Sequence, residues 1–195
     1  MNKKFILDAT CSGRMMWFDK NHPAALFMDI RKEEKGFIEQ RANFEINPDV
    51  IADFRNMPFP DKNFKLVVFD PPHIQFRGYK SWASQKYGWL DPETWKDDIQ
   101  KGLNECWRVL EDEGVLIFKW STERDTRSVK VKEIRQIIEE SKWGKQGLIV
   151  GHPTGKNGNT IWMSLMKFPY DCMNCEDQGC EECALDELNE QDGPE

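Results

Sequence analysis

The stretch Leu66-Val67-Val68-Phe69-Asp70-Pro71-Pro72-His73 constrains this chain more than any other. Its apolar run is β-branched and aromatic, the pattern of a buried strand. Two prolines then fix φ and remove backbone donors, so the strand must stop at Asp70. An acid is thereby held on stiff backbone at the carboxyl end of a strand, the edge where open α/β sheets bind ligands. The pattern alone leaves two readings open. Asp70 is a helix cap or turn acid, or it accepts a hydrogen bond from something bound.

The other segments fall around this strand. Phe5-Ile-Leu-Asp8, Ala25-Leu-Phe-Met-Asp29 and Val50-Ile-Ala-Asp53 each read as a strand ending at or near an acid. Asp29 follows Asp8 by 21 residues, close to the spacing of a ribose-binding acid after the first loop of a nucleotide-binding α/β unit. Asp91-Pro92 signals a helix start, and Trp95, Ile99, Leu103, Cys106, Trp107 and Leu110 recur at helical spacing. Gly114 is expected to stop that helix and open a fifth strand through Trp120. Val129–Ser141 reads as a further helix, and Gly147–Val150 and Thr160–Phe168 as two closing strands joined by the Gly-rich loop Gly151–Asn159. Strands alternating with helices or long connections imply a parallel sheet. The fold class expected is α/β: a Rossmann-like, seven-stranded, mostly parallel sheet with a C-terminal antiparallel hairpin strand, in three α/β/α layers.

Charge divides the chain. Residues 171–195 hold ten acids and no Lys or Arg, so the net −7 conceals a body, residues 1–170, with 24 acids against 27 bases. A mildly basic body permits a nucleic-acid partner without requiring one. No apolar run approaches the ~18 residues of a transmembrane helix, and the apolar N-terminal run is too short for a signal peptide. The location expected is the cytoplasm, or a host cell's cytoplasm for a phage gene. The domains expected are the body at 1–170 and an acidic, Cys-rich tail at 171–195.

With these residues in view, the chain resembles the class I S-adenosylmethionine-dependent methyltransferases over residues 4–168. Asp8-Ala-Thr10-Cys11-Ser12-Gly13-Arg14 looks like their first motif, Asp29-Ile30 like the ribose-binding acid and its neighbour, and Asp53-Phe54 like the adenine-contacting segment. Asp70-Pro71-Pro72-His73 looks like the fourth motif of amino-methyltransferases acting on nucleic-acid bases. In detail the chain is similar to a phage and prophage group of small methyltransferases, on Arg14–Pro23, the Asp-Pro-Pro-His stretch and Gly151–Gly155. The resemblance implies S-adenosyl-L-methionine as cofactor, held by Asp8, Thr10, Cys11, Ser12, Gly13, Asp29, Ile30, Asp53 and Phe54. It implies DNA as substrate, with methyl transfer to an exocyclic base amine, adenine first, at Asp70, Pro71, Pro72 and His73. An exocyclic amine is a poor nucleophile because its lone pair is delocalised into the ring. Asp70 and the Pro71 carbonyl would accept its hydrogens and localise that pair. The chain departs from the family in having one glycine in the first loop, and His73 where an aromatic usually stacks on a flipped base.

Two further regions carry expectations. Residues 74–90 interleave Arg77, Lys80 and Lys86 with Phe76, Tyr79, Trp82, Tyr87 and Trp89. Cations among aromatics suit a nucleic-acid strand; a lid over a small substrate and plain packing are the alternatives. Arg77, Lys80, Trp82, Tyr87 and, on the hairpin loop, His152 are the candidate substrate contacts. In the tail, Cys172, Cys175, Cys180 and Cys183 form two CxxC pairs, the ligand count of a structural zinc, although the gap between pairs is short; an acidic, solvated tail is the competing reading. For function as a whole, a small-molecule methyltransferase is the enzymatic alternative, supported by Asn56-Met-Pro-Phe-Pro-Asp61. A cofactor-binding or DNA-mimicking regulator is the non-enzymatic one.

Overall fold

A computed structural model of the chain describes residues 4–75, 81–122, 128–154 (backbone alone from 146) and 160–168. Arg77, Lys80 and the four tail cysteines lie outside these residues.

The elements run β1 (Ile6–Asp8), β2 (Ala25–Asp29), β3 (Val50–Ile51), β4 (Phe64–Phe69), α1 (Trp82–Tyr87), α2 (Trp95–Val109), β5 (Leu110–Ser121), α3 (Val131–Glu140), α4 (Lys142–Gln146), β6 (Gly147–Thr154) and β7 (Thr160–Lys167). The sheet order is β3-β2-β1-β4-β5-β7-β6. β1 to β5 pair in parallel, and β7 runs antiparallel to both β5 and β6. The expected seven full strands reduce to six of three residues or more, because β3 is a two-residue pairing of Val50 and Ile51 on the edge of β2. The sheet is thus mixed, closed by the expected antiparallel hairpin. That hairpin is longer than its sequence suggests: β6 continues through Thr154, so His152 sits within a strand opposite Trp162 rather than in a turn.

Register sorts side chains onto two faces. Val67, Phe69, Leu116, Phe118, Trp120, Met163 and Leu165 share one face and join the main core with Ile99, Leu103 and Cys106 of α2 and Ile134 and Ile138 of α3. Burying each such large side chain contributes about 1.5–3 kcal/mol. The indoles stay satisfied: Trp120 Nε1 donates to the Val129 carbonyl and Trp143 Nε1 to the Leu103 carbonyl, both at 3.0 Å.

The second face departs from the expected three layers. Residues 9–24 and 30–49 connect β1 to β2 and β2 to β3 by turns and one three-residue 3-10 helix, where the layered architecture needs helices. Among the described residues α2, α3 and α4 pack together on the first face. The second carries a small cluster of Cys11, Ala25 and Phe27 under Trp17, while Val115, Ile117 and Met166 are half-buried and Ser164 is exposed. The reason is local: neither connection holds an apolar repeat long enough to pay for helix nucleation.

Gly114 also differs from expectation. α2 ends at Val109, where Leu110 turns extended and enters β5 directly. Gly114 lies inside that strand, where the register against β4 shifts, and a Cβ there would stand 2.7 Å from the Glu111 carbonyl oxygen. Its missing side chain admits an irregularity in the strand.

Candidate active site

The carboxyl ends of the parallel strands open into a cavity of about 910 Å³. Asp8 and Asp29 are the last residues of β1 and β2, Asp53 lies two residues past β3, and Asp70 directly follows β4. All four line the cavity, as do Thr10, Cys11, Ser12, Ile30, Phe54, Pro71, Pro72, His73 and Tyr87. A volume in this range suits a drug-sized ligand.

Side chains rather than glycines shape the loop after β1. Ser12 takes the left-handed conformation, φ 44°, and its N–H donates to Asp29 Oδ2 at 2.9 Å. Gly13 does not line the cavity; it lets the Phe44 ring approach, which any Cβ would obstruct. Arg14, φ 54°, lies over Phe27 at 3.9 Å and donates to the Lys20 and Asn47 carbonyls at 2.7 Å each. The single glycine of the loop therefore serves packing, and Asp29 stitches the turn to β2.

The acids differ in environment. Asp8 is 2 % exposed and accepts from Trp17 Nε1 at 2.7 Å and from the Thr10 N–H at 3.3 Å. Burial pushes its pKa up to about 7; the two donors oppose the rise, and Asp70 and Asp29 add to it. Asp29 accepts from Ser12 and from the Arg31 backbone N–H, with the Arg31 guanidinium at 3.4 Å. Asp53 is gripped by Arg55, whose hydrogen bonds hold it below the usual carboxylate range; the same Arg55 reaches Asp98 at 2.9 Å. Phe54 packs on Phe69, with ring centroids 5.2 Å apart. Burial raises the Cys11 thiol, leaving it a small neutral wall group.

α1 straps the open side. Ser81 caps it, Ser12 Oγ donates to the Lys86 carbonyl at 3.1 Å, and Arg31 Nη1 donates to the Gln85 carbonyl at 2.9 Å. Lys86, 6 % exposed, donates to the Tyr87 hydroxyl at 2.8 Å and lies within 6 Å of the rings of Phe44, Trp82 and Tyr87. Tyr87 reaches the cavity; Trp82 does not line it, and stands partly exposed beneath Arg41.

At the other end stands Asp70. Its N–H donates to Thr10 Oγ1 at 3.0 Å, and its Oδ2 accepts from Lys119 Nζ at 2.5 Å. Its Oδ1 is shielded from solvent and has no hydrogen-bond partner among the described residues. His73 is 8 % exposed, with its ring 6.0 Å from Trp120 and 6.3 Å from Tyr87. It is a mostly buried ring that still borders the cavity.

Sequence reasoning missed Lys119 and Trp162, both of which line the cavity. The signal was alternation: Leu116, Phe118 and Trp120 point to the core, so the lysine between them shares Asp70's face. Trp162 is its direct partner on β7, with Lys119 Nζ 5.7 Å from its ring. Among the described residues no cluster of metal-ligating side chains occurs, and no helix is long and apolar enough to cross a membrane.

No protein-family model and no curated protein sequence matches the chain. Solved structures do. The PH0226 protein from Pyrococcus horikoshii OT3 is 14 % identical with a TM-score of 0.51, covering 83 % of this chain and 80 % of its own. A TehB-like SAM-dependent methyltransferase from Corynebacterium glutamicum is 15 % identical with a TM-score of 0.50, covering 83 % and 79 %. The fold is methyltransferase-like. A second neighbour with that architecture, the [4+2]-cyclase SpnF, is 10 % identical with a TM-score of 0.50, covering 84 % and 74 %. The architecture therefore hosts more than one chemistry, and the activity must be argued from the site.

Proposed function

We propose that this chain is an S-adenosylmethionine-dependent N-methyltransferase whose acceptor is an exocyclic amine of a nucleic-acid base, adenine in DNA first. The observation that carries the reading is Asp70: a proline-clamped acid at the end of β4, with one oxygen lacking a hydrogen bond, in the same cavity as Asp8 and Asp29. A buried acceptor without a donor costs about 1–3 kcal/mol, which a bound N–H would recover.

The donor set fits the cofactor. Burial, with a smaller addition from Asp70 and Asp29, keeps the Asp8 proton up to about pH 7, and a ligand bearing a sulfonium and an ammonium favours the ionised acid. Asp29 retains lone pairs for ribose hydroxyls beyond those taken by Ser12 and Arg31. Ile30, 55 % exposed beside it, and Phe54 offer apolar surface for adenine. Asp8 with Thr10–Ser12 would face the amino-acid end. When bound, the cofactor supplies a methyl group on a sulfonium.

The chain's own residues do the rest. Asp70 accepts an N–H of the acceptor, turning the amine lone pair toward the donor methyl, and the Pro71 carbonyl accepts the second hydrogen. Pro71 and Pro72 keep that geometry from relaxing. The Gly88 backbone, φ 76°, packs where its absent Cβ would lie 3.2 Å from Pro72, so the end of α1 braces the motif.

A small-molecule amine is the second reading, and His73 favours it, because an imidazole 8 % exposed offers a flipped base little area to stack on. The Asn56–Asp61 passage shared with that branch is pinned to α2: Glu105 accepts from the Met57 N–H at 2.6 Å, and Arg108 donates to the Phe59 and Met57 carbonyls at 2.7 and 3.0 Å.

The test is transfer of labelled methyl. Transfer to unmethylated DNA, lost in Asp70→Ala, supports the proposal. Label confined to a small-molecule extract moves the acceptor to the second reading. Calorimetry that detects no binding of S-adenosylmethionine removes both and leaves only the DNA-mimicking regulator.

A further inference from the structure

We propose that Asp70 and Lys119 form an acceptor–donor pair that reads a heteroaromatic amine together with the ring nitrogen beside it, the N–C–NH₂ edge of adenine or cytosine, and that Trp162 is the surface on which that ring lies. The proposal rests on the N-methyltransferase reading and names what its acceptor pocket selects.

The geometry is set by register. Phe69 and Phe118 pair across β4 and β5 with their rings in the core, which places Asp70 and Lys119 next to one another on the opposite face. Lys119 in turn pairs with Trp162 across β5 and β7. One acid, one ammonium and one indole from three adjacent strands thus meet at the cavity wall. All are partly open: the side chains of Asp70 and Lys119 are 20 % and 22 % exposed.

The chemistry follows from donor and acceptor counts. A lysine ammonium has three donors; Asp70 takes one, and no other acceptor is in hydrogen-bond range of Nζ among the described residues. Asp70 has Oδ1 unfilled, and rotation about its soft χ2 can present that oxygen to a ligand. The pair therefore offers one acceptor and one donor side by side. An amino group flanked by a ring nitrogen presents the complement, a donor beside an acceptor. An amine on an all-carbon ring edge leaves Lys119 facing C–H, with its donor unused and partly desolvated, the arrangement that discriminates most strongly. Trp162 replaces the stacking face that buried His73 withholds, and base–aromatic stacking tolerates any flat ring.

The experiment measures binding to protein saturated with S-adenosylhomocysteine, so it needs no turnover. Titrate 9-methyladenine and its 1-deaza analogue, then short single strands carrying one adenine or one 1-deazaadenine. The expected result is about tenfold tighter binding of the form with the ring nitrogen. The strand arm exceeding the free-base arm would place the edge in nucleic acid, and equal arms would place it in a small molecule. Lys119→Met, which keeps length and loses the donors, should abolish the preference with S-adenosylhomocysteine affinity unchanged. Trp162→Ala should weaken both forms alike, by about tenfold. Equal affinity for the two forms in the unmodified protein, no binding of either, or a preference that survives Lys119→Met overturns the proposal. Failure of S-adenosylhomocysteine to bind instead overturns the methyltransferase reading on which it rests.

Discussion

The two ends of the cavity use the same residue type in opposite ways. At the proposed cofactor end, Asp8 is buried with neutral donors only, and burial keeps its proton to about pH 7. At the acceptor end, Asp70 has its own cation in Lys119. The first arrangement concentrates acidity that is relieved by a cationic ligand; the second balances its charge and leaves an acceptor oxygen for a neutral N–H. Under the proposed function, strand-end acids would divide labour by what surrounds them, although their sequence contexts look alike.

Variants should separate the ends. The largest effect is expected for Asp70→Ala, which should slow methyl transfer by about 10²–10³, with calorimetric affinity for S-adenosylmethionine within about threefold of the parent. Loss of cofactor affinity to the same degree would mean that the ends are not separate. Asp29→Asn should act in the converse sense. Its amide oxygen can still accept from the Ser12 N–H, so the loop stays closed, but the charge is gone. Cofactor Kd should rise about 10- to 100-fold, and a Kd that does not move would remove Asp29 from the cofactor site.

Acidity sharpens the contrast further. Burial raises the Asp8 carboxyl from the ordinary 3.8 to about 7 in the folded chain, so the folded chain binds this proton more tightly than the unfolded one. Its contribution to stability is greatest at low pH and is lost as pH climbs from 3.8 to about 7. Cofactor affinity should move the other way, because a cationic ligand favours the ionised acid. Binding measured from pH 6 to pH 8 should strengthen by up to about tenfold and release protons. Trp17→Phe removes a donor that favours the carboxylate, and should shift the midpoint upward. Affinity flat across this range would place Asp8 away from the bound charge.

The smallest effect is structural. A Cβ at Gly102 of α2 would stand 2.7 Å from both Phe54 and Phe69. Overpacking costs about 1–3 kcal/mol, partly offset by the ~1 kcal/mol that alanine gains over glycine in a helix. Gly102→Ala should lower the melting temperature by a few degrees, and displace Phe54 toward the cofactor end without changing preference at the acceptor end.

Much of this was legible in the chain. The acids Asp8, Asp29, Asp53 and Asp70 were readable because apolar runs give strands and prolines end them, both local effects. The antiparallel hairpin was readable for the same reason. The missing helical layer was only half legible: the connections after β1 and β2 lack a helical repeat, yet resemblance to a layered family suggested helices there. The role of Gly13 was not legible, since Phe44, 31 residues away, decides it. The burial of His73 was not legible either, because Trp120 and Tyr87 pack beside it from other elements.

The sequence by itself determined where strands end and which residue types stand there, since hydrophobic periodicity and proline geometry act within a few residues. Asp29 and Asp53 find a cation two residues along, in Arg31 and Arg55; only the tertiary structure gave Asp70 one. Lys119 lies 49 positions from Asp70 and Trp162 lies 43 beyond Lys119. Parallel pairing of β4 with β5 and antiparallel pairing of β5 with β7 bring the three onto one face. A one-residue slip of β5 against β4 would have turned the lysine away from Asp70, and one of β7 against β5 would have turned Trp162 away from the lysine.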